Sequence, residues 1–410
     1  MSTAPTGTCC LDCVPTATAG PTARHWLAAG SVGTAAFALV TAEFPPVGLL
    51  PAMAADIGIT EGQAGLMVTM AGILGAIAAP AVTVGAGRLD RRVVLMVLVG
   101  LLVASNLVVA LSSSYPVLLL GRLLLGIGVG GFWCIGVAIG PRVVPEPTGT
   151  RGTAIVFAGI SLGTVAGVPA GTFIGDIFGW RIAFAAAAAI GLVVLAAQAW
   201  LLPSLPPQRA IRWRDLPSLL RVPKARIGLL AALVMFGGQF FAYTYIAPFL
   251  VQITGLGSGM VTGLLLAYGV AGFFGNIVGS WLAGKDARSA VAATALVLGV
   301  SALALAAFGA IPLPAVAIIV VWGLAFGAMP ITTQTFMFRA AAEALETGAA
   351  LLVSLVQIAI ALGATLGGLT VDGLGLVSTM VVGGLVMLLL GAPVITLLGR
   401  ERRVAATLPN

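Results

Sequence analysis

Glu43 and Arg122 are the only two charges that the chain places well inside long apolar runs. They are the residue types that could hold or pass a proton. Glu43 stands seven residues before the end of a run over 26–50, and Arg122 six residues after the start of another over 116–140, both counted from the face remote from the basic loops. At a helical rise of about 1.5 Å per residue, both fall about 10 Å deep. A charge in hydrocarbon costs several kcal/mol, so such groups face a cavity or one another. Two readings stand side by side. In the first, Glu43 and Arg122 form a fixed buried pair, or Arg122 satisfies backbone carbonyls, and neither moves. In the second, Glu43 alternates between protonated and ionised as a cavity opens to either side, burial favouring the neutral acid and Arg122 the carboxylate. Intramembrane carboxylates commonly mark proton relays, which favours the second.

Neutral polar and aromatic groups in the other runs sketch a solute path. Phe44, Trp133, Gln239, Tyr243, Tyr245, Asn276, Gln334 and Gln357 would supply ring faces and hydrogen bonds in a mostly apolar pocket. Each has a structural alternative, since an isolated Gln or Asn serves equally as interhelical glue. Trp133, in the middle of its run, fits packing and ligand contact equally. Trp26, Trp180 and Trp200 lie near run ends and read as interface anchors. No further charge stands near mid-run, which suits an uncharged or weakly charged organic solute better than a strongly anionic one.

The elements that must position these residues are membrane helices. Of 410 residues 60% are hydrophobic and 8% charged, against about 25% charged in soluble proteins. Twelve apolar runs follow one another at 26–50, 61–84, 93–113, 116–140, 152–175, 181–202, 227–250, 259–283, 289–311, 314–337, 347–371 and 376–398. Each is close to the roughly 20 residues a helix needs to span a bilayer. The predicted fold is all-α, with two pseudo-symmetric six-helix bundles, 26–202 and 227–399. Residues 1–25 read as a flexible tail rich in Thr, Ala and Pro, 203–226 as a basic linker and 400–410 as a second tail. GLMVTMAGILG from Gly65 and GLLLAYGVAGFFG from Gly263 open the second and eighth runs. This is the faint internal similarity expected of duplicated bundles.

Eighteen of the 20 basic residues fall in the segments of one face, including Arg88, Arg91 and Arg92, then Arg142 and Arg151, then Lys285, Arg288 and Arg339. The positive-inside pattern therefore predicts both termini in the cytoplasm and a multi-pass protein of the cell membrane. The net charge of +7 reports topology, with no nucleic-acid partner implied. Cys9, Cys10 and Cys13 crowd the first tail and Cys134 lies within a run, so no disulfide framework is expected. A zinc site using that tail and His25 is the less favoured reading, and no cofactor or metal is expected. The chain carries no nucleotide-binding loop and no nucleophile with a base, so it is not expected to be an enzyme. An ion gradient is then the energy source. A lone buried carboxylate favours protons over sodium, with passive uniport as the alternative. The expected partners are a small-molecule substrate, protons and membrane lipid, acting on a monomer.

A glycine ridge completes the pattern. Gly159, Gly163, Gly167, Gly171, Gly175 and Gly179 recur every fourth residue and so share one helix face free of side chains. Another helix can approach such a face closely. Pro169 lies within it, removing a backbone donor and bending the segment.

LLLGRLLLGIGVGGFW around Arg122 resembles the fourth-span motif of the major facilitator superfamily, and GTVAGVPAG over Gly163–Gly171 resembles its fifth-span antiporter motif. TAEFPPVGLLPAMAADIGIT and FFAYTYIAPFLVQITGL resemble the proton-coupled efflux branch, with purine ribonucleoside efflux pumps nearest and sugar and drug efflux permeases beside them. The resemblance implies alternating access about a central cavity and export driven by inward proton flow. It makes Arg122 the arginine linked to proton transfer. It also makes Gly163, Gly167, Pro169 and Gly171 a seal of bundle against bundle, meeting Gly272, Gly275 and Gly279 of span eight. The cytoplasmic-gate loop departs from the family: AGRLDRR puts Gly87 where an acid is expected, leaving Asp90 to serve from a shifted position beside Arg88, Arg91 and Arg92. The expectation is a proton antiporter exporting a neutral solute, best a purine nucleoside; sugar or drug export is the transport alternative and a non-transporting receptor or enzyme the other class.

Overall fold

The computed structural model describes residues 21–145, 148–206, 221–340 and 345–391. The tail cysteines, most of the linker and the C-terminal tail lie outside the described residues. Every regular element among the described residues is helical.

The first half contains α1 (Ala23–Glu43), α2 (Pro45–Ile57), α3 (Glu61–Gly85), α4 (Arg91–Ala110), α5 (Tyr115–Val143), α6 (Gly149–Phe178) and α7 (Trp180–Leu201). The second contains α8 (Pro223–Tyr243), α9 (Ile246–Gln252), α10 (Ser258–Phe308), α11 (Pro312–Ala340), α12 (Leu345–Leu374) and α13 (Leu376–Val386). Among the described residues helices occupy the first eleven predicted runs and the twelfth as far as Gly391, with three local differences. Span one is two helices, because Pro45 and Pro46 cannot donate the next hydrogen bonds of the helix. Span seven divides likewise after Tyr243, with Pro248 four residues past Thr244. A broken first span in each half is a stronger sign of duplication than the sequence similarity of spans two and eight. Spans eight and nine form one long helix interrupted at Asp286 (φ −149°, ψ 103°), whose carboxylate accepts the Arg288 N–H at 3.1 Å and so caps the second arm.

His25 has a local role. Its ring Nδ1 accepts the Thr22 N–H at 3.0 Å, finishing the start of α1. Between α6 and α7 the chain turns on Gly179 alone, whose φ of 89° a side chain would resist. The two halves meet along α3 against α12 and α6 against α10. A cavity remains between them.

Candidate functional site

The site starts from the break in span one. Pro45 and Pro46 leave the Thr41 and Ala42 carbonyls without their helical donors. The Val47 N–H turns back to the Phe44 oxygen at 3.0 Å, which removes the donor of Glu43 as well. Buried carbonyls need partners. Arg122, 1% exposed, supplies those of Ala42 and Glu43 from α5. Its Nη1 donates to the Ala42 oxygen at 2.9 Å, Nη2 to the Glu43 backbone oxygen at 2.7 Å, and Nε to the Met67 oxygen of α3 at 3.2 Å. No ion pair within 4 Å joins Arg122 to the Glu43 carboxylate. Of the sequence readings, the carbonyl-satisfying one describes the arginine. A planar fork of donors fits three divergent acceptors.

The Glu43 side chain turns instead toward the second half of the molecule, where Gln357 Nε2 of α12 donates to its Oε1 at 3.4 Å. Gly75 makes room for this amide, since a Cβ there would stand 2.7 Å from Gln357 Nε2. Glu43 and Gln357 both line a cavity of about 770 Å³ between the halves, reaching Arg91 and Arg142 at the basic face. That volume falls in the usual range for small-molecule sites, roughly 300–1,000 Å³. Among the described lining residues Glu43 is the sole carboxylate. A buried acid in a mostly apolar cavity, bonded across the seam, can bind or release a proton in step with movement of the two halves.

Phe44, Trp133, Asn276, Gln334 and Gln357 line this cavity as expected. Gln239, Tyr243 and Tyr245 do not. Gln239 is fully buried behind the wall, donating to the Tyr268 hydroxyl at 3.0 Å and accepting from Trp322 Nε1 at 2.8 Å. Tyr243 stacks on Tyr268 (centroids 4.9 Å apart) and on Phe326 (5.6 Å). Tyr245 donates to the Ala364 oxygen at 2.7 Å and packs against Gly65. On α8 it is Phe236 and Phe240, one turn apart, that reach the cavity, while Gln239 and Tyr243, three and seven residues after Phe236 on the same side of the helix, pack on Tyr268 and Trp322 behind it. Phe240 stacks on Phe44 across the halves, 5.8 Å between centroids. The sequence reading missed Phe240, together with Phe326, Phe157, Ser161 and Thr164. The spacing of Phe236 and Phe240 was a signal, but one that Gln239 and Tyr243 share.

The glycine ridge also has a different partner from the expected one. A Cβ on Gly159 would meet the Gly33 backbone, one on Gly163 would stand 3.0 Å from the Phe37 oxygen, and one on Gly167 3.0 Å from Thr41 Cα. Gly175 faces Leu49 of α2. The ridge thus follows both pieces of broken span one inside its own half. Gly272, Gly275 and Gly279 face Gly323, Leu324 and Ala328 of α11. What does join α6 to span eight is Gly269, where a Cβ would be 2.6 Å from the Val165 oxygen. Pro169 deprives that same carbonyl of its helical donor. Pro169 and Gly171 are buried, and α6 runs through Pro169 without interruption.

In the basic loop, Asp90 caps α4 by accepting the Arg92 N–H at 2.8 Å, and it also holds the Ser204 hydroxyl and the Leu205 N–H. Burial raises its carboxyl affinity for a proton, but these donors outweigh it and hold the group below the ordinary carboxylate value. Arg92 donates to the Ala199 oxygen and Arg142 to the Pro206 oxygen. Arg91 lines the cavity mouth, and Arg88 ends a short 3₁₀ turn. The bonds of Asp90, Arg92 and Arg142 just given pin the chain after span six to its own half. Among the described residues no group of three His, Cys, Asp or Glu is placed to hold a metal.

Apolar helices in two halves, each opening on a broken span, with an acid-bearing cavity between them, are the architecture of a membrane transporter. The Major Facilitator Superfamily pattern matches residues 32–364. The chain belongs to that family. It is 35% identical over 368 residues to the purine ribonucleoside efflux pump NepI of Escherichia coli O6:K15:H31, covering 90% of this chain and 93% of the relative. Identity to the protein of that name from Salmonella paratyphi A is 36% over 365 residues, 89% and 92% of the two chains. The fold is similar to that of a bacterial homolog of the human lysosomal transporter Spinster, with a TM-score of 0.71, 16% identity, and coverage of 92% and 97%.

Proposed function

We propose that this transporter exports a purine ribonucleoside from the cytoplasm in exchange for protons, carrying out no covalent chemistry. The reading is supported by the cavity: one carboxylate, neutral amides at Asn276, Gln334 and Gln357, and the rings of Phe44, Trp133, Phe240 and Phe326. Rings stack on a base, and side-chain amides match its donor and acceptor edges. In this reading the basic face is cytoplasmic, the protein acts as a monomer in the cell membrane, and the structure is open to the inside. Substrate enters past Arg91 and Arg142. Reorientation parts Glu43 from Gln357, Glu43 takes a proton from outside, and the protonated acid returns with the cavity empty of solute.

The test is uptake into everted vesicles of a panel of nucleosides, pentoses and cationic dyes, with and without a pH gradient. Purine nucleosides should be concentrated only with the gradient. Glu43→Gln should abolish that accumulation yet retain downhill exchange. Full pumping by Glu43→Gln would remove the proton role, and preference for pentoses or dyes would remove the substrate.

A further inference from the structure

The face opposite the basic loops is closed by a contact in which one half of the molecule completes a helix of the other. Thr60 is the N-cap of α3, and the first N–H groups of a helix have no partners within it. Two donors at this end reach Asp372 in the last turn of α12: the Thr60 hydroxyl bonds Oδ2 at 2.7 Å and the Gly62 N–H bonds Oδ1 at 3.1 Å. Residue 62 has to be glycine for this. A Cβ there would stand 2.4 Å from Asp372 Oδ2 and 2.5 Å from the Gly368 oxygen. Beside it Gln252, at the end of α9, donates to Glu61 Oε1 at 2.6 Å, a second bond between the halves. At the basic face, by contrast, the bonds given above for Asp90, Arg92 and Arg142 stay within the first half.

We propose that Asp372 is the latch of this face, a carboxylate that caps α3 across the seam while the cavity is open to the basic side and lets go when it opens on the other. The proposal rests on alternating access. Its chemistry suits a reversible contact. An anion at a helix N-terminus is held by the partial positive charge of the free N–H groups and by charge-assisted bonds. Thr60 and Asp372 are exposed, so water takes over when they part and neither state becomes a trap. A longer or neutral side chain at 372, or any side chain at 62, would loosen the contact.

The reporter is Thr69→Cys in a chain whose native cysteines are replaced by serine. Thr69 is 3% exposed and lies below the latch, its hydroxyl 3.0 Å from that of Thr365 across the seam. A membrane-impermeant maleimide added on the latch face reacts with this thiol only in molecules open there, so its rate follows the population of that state. Asp372→Asn and Gly62→Ala should each raise the rate by about three- to tenfold. Asp56→Asn should leave it unchanged, because Asp56 bonds Arg181 and Trp180 within the first half. Parental rates in both latch variants would overturn the proposal, as would equal acceleration by Asp56→Asn. Should Gly62→Ala not fold, Asp372→Asn decides alone. Unchanged rates in variants that still move solute reject only the latch, whereas a parent that moves no solute rejects the transport reading beneath it.

Discussion

Replacing Arg122 separates two roles that a buried arginine near a buried glutamate can have. If it is the counter-ion of Glu43, lysine should serve nearly as well, and neutralising Glu43 should rescue its loss. The structure gives it three backbone acceptors on two helices instead. An ammonium on a flexible stem reaches one of the two oxygens freed at the break, or both with strained geometry, whereas the Met67 oxygen, inside α3, keeps its helical partner. A buried unsatisfied acceptor costs about 1–3 kcal/mol, so Arg122→Lys, which strands one, should destabilise the protein by about that amount and Arg122→Ala, which strands two, by more. The assay is equilibrium unfolding of purified protein in mixed micelles, run as a double-mutant cycle with Glu43→Gln. Because lysine keeps the positive charge that acts on the carboxylate through space, and the bonded acceptors are main-chain atoms, the coupling between the two positions should stay below about 1 kcal/mol. If Glu43→Gln restores most of the stability lost in Arg122→Lys, the arginine is answering the carboxylate and the carbonyl account is wrong.

Three other outcomes are expected. Gly167→Val puts a branched side chain 3.0 Å from Thr41 Cα, which should cost about 1–3 kcal/mol of stability and displace Glu43, lowering transport; a stable, fully active variant would show that α6 does not need this approach. Gln239→Leu should lower stability by about 1–3 kcal/mol, by stranding the Tyr268 and Trp322 polar groups, while leaving KM for solute unchanged; Asn276→Ala and Gln334→Ala, whose side chains line the cavity, should raise KM and leave the melting temperature near its starting point. The Asp90 carboxyl is held below its ordinary 3.8, so its bonds to Ser204 and Leu205 contribute at neutral pH and are lost only as pH falls below about that value. Transport between pH 5 and 8 should therefore keep the same pH profile in Asp90→Asn. A shifted profile would place a titrating group in that loop.

Much of this molecule was legible in its residues. Composition excluded a soluble chain, run lengths gave the series of apolar helices, and the placement of arginines predicts which ends face the cytoplasm. Lipid imposes these rules on each segment separately, so no tertiary information is needed to apply them. The rejection of charge by hydrocarbon singled out Glu43 and Arg122 for the same reason. Facing was another matter. In water an amphipathic stripe tells which side of a helix is buried, but lipid and protein interior are equally apolar, so the stripe fades. That is why Gln239 and Tyr243 could not be told from cavity residues, and why the glycine ridge was matched with span eight when it lies on span one. The partners of Arg122 were hidden for a different reason: they are backbone oxygens, two of them released at Pro45 and Pro46 far along the chain, and a carbonyl has no letter in the sequence. Asp372 and Gly62 are 310 positions apart, and only the closing of one half against the other makes a helix cap of them.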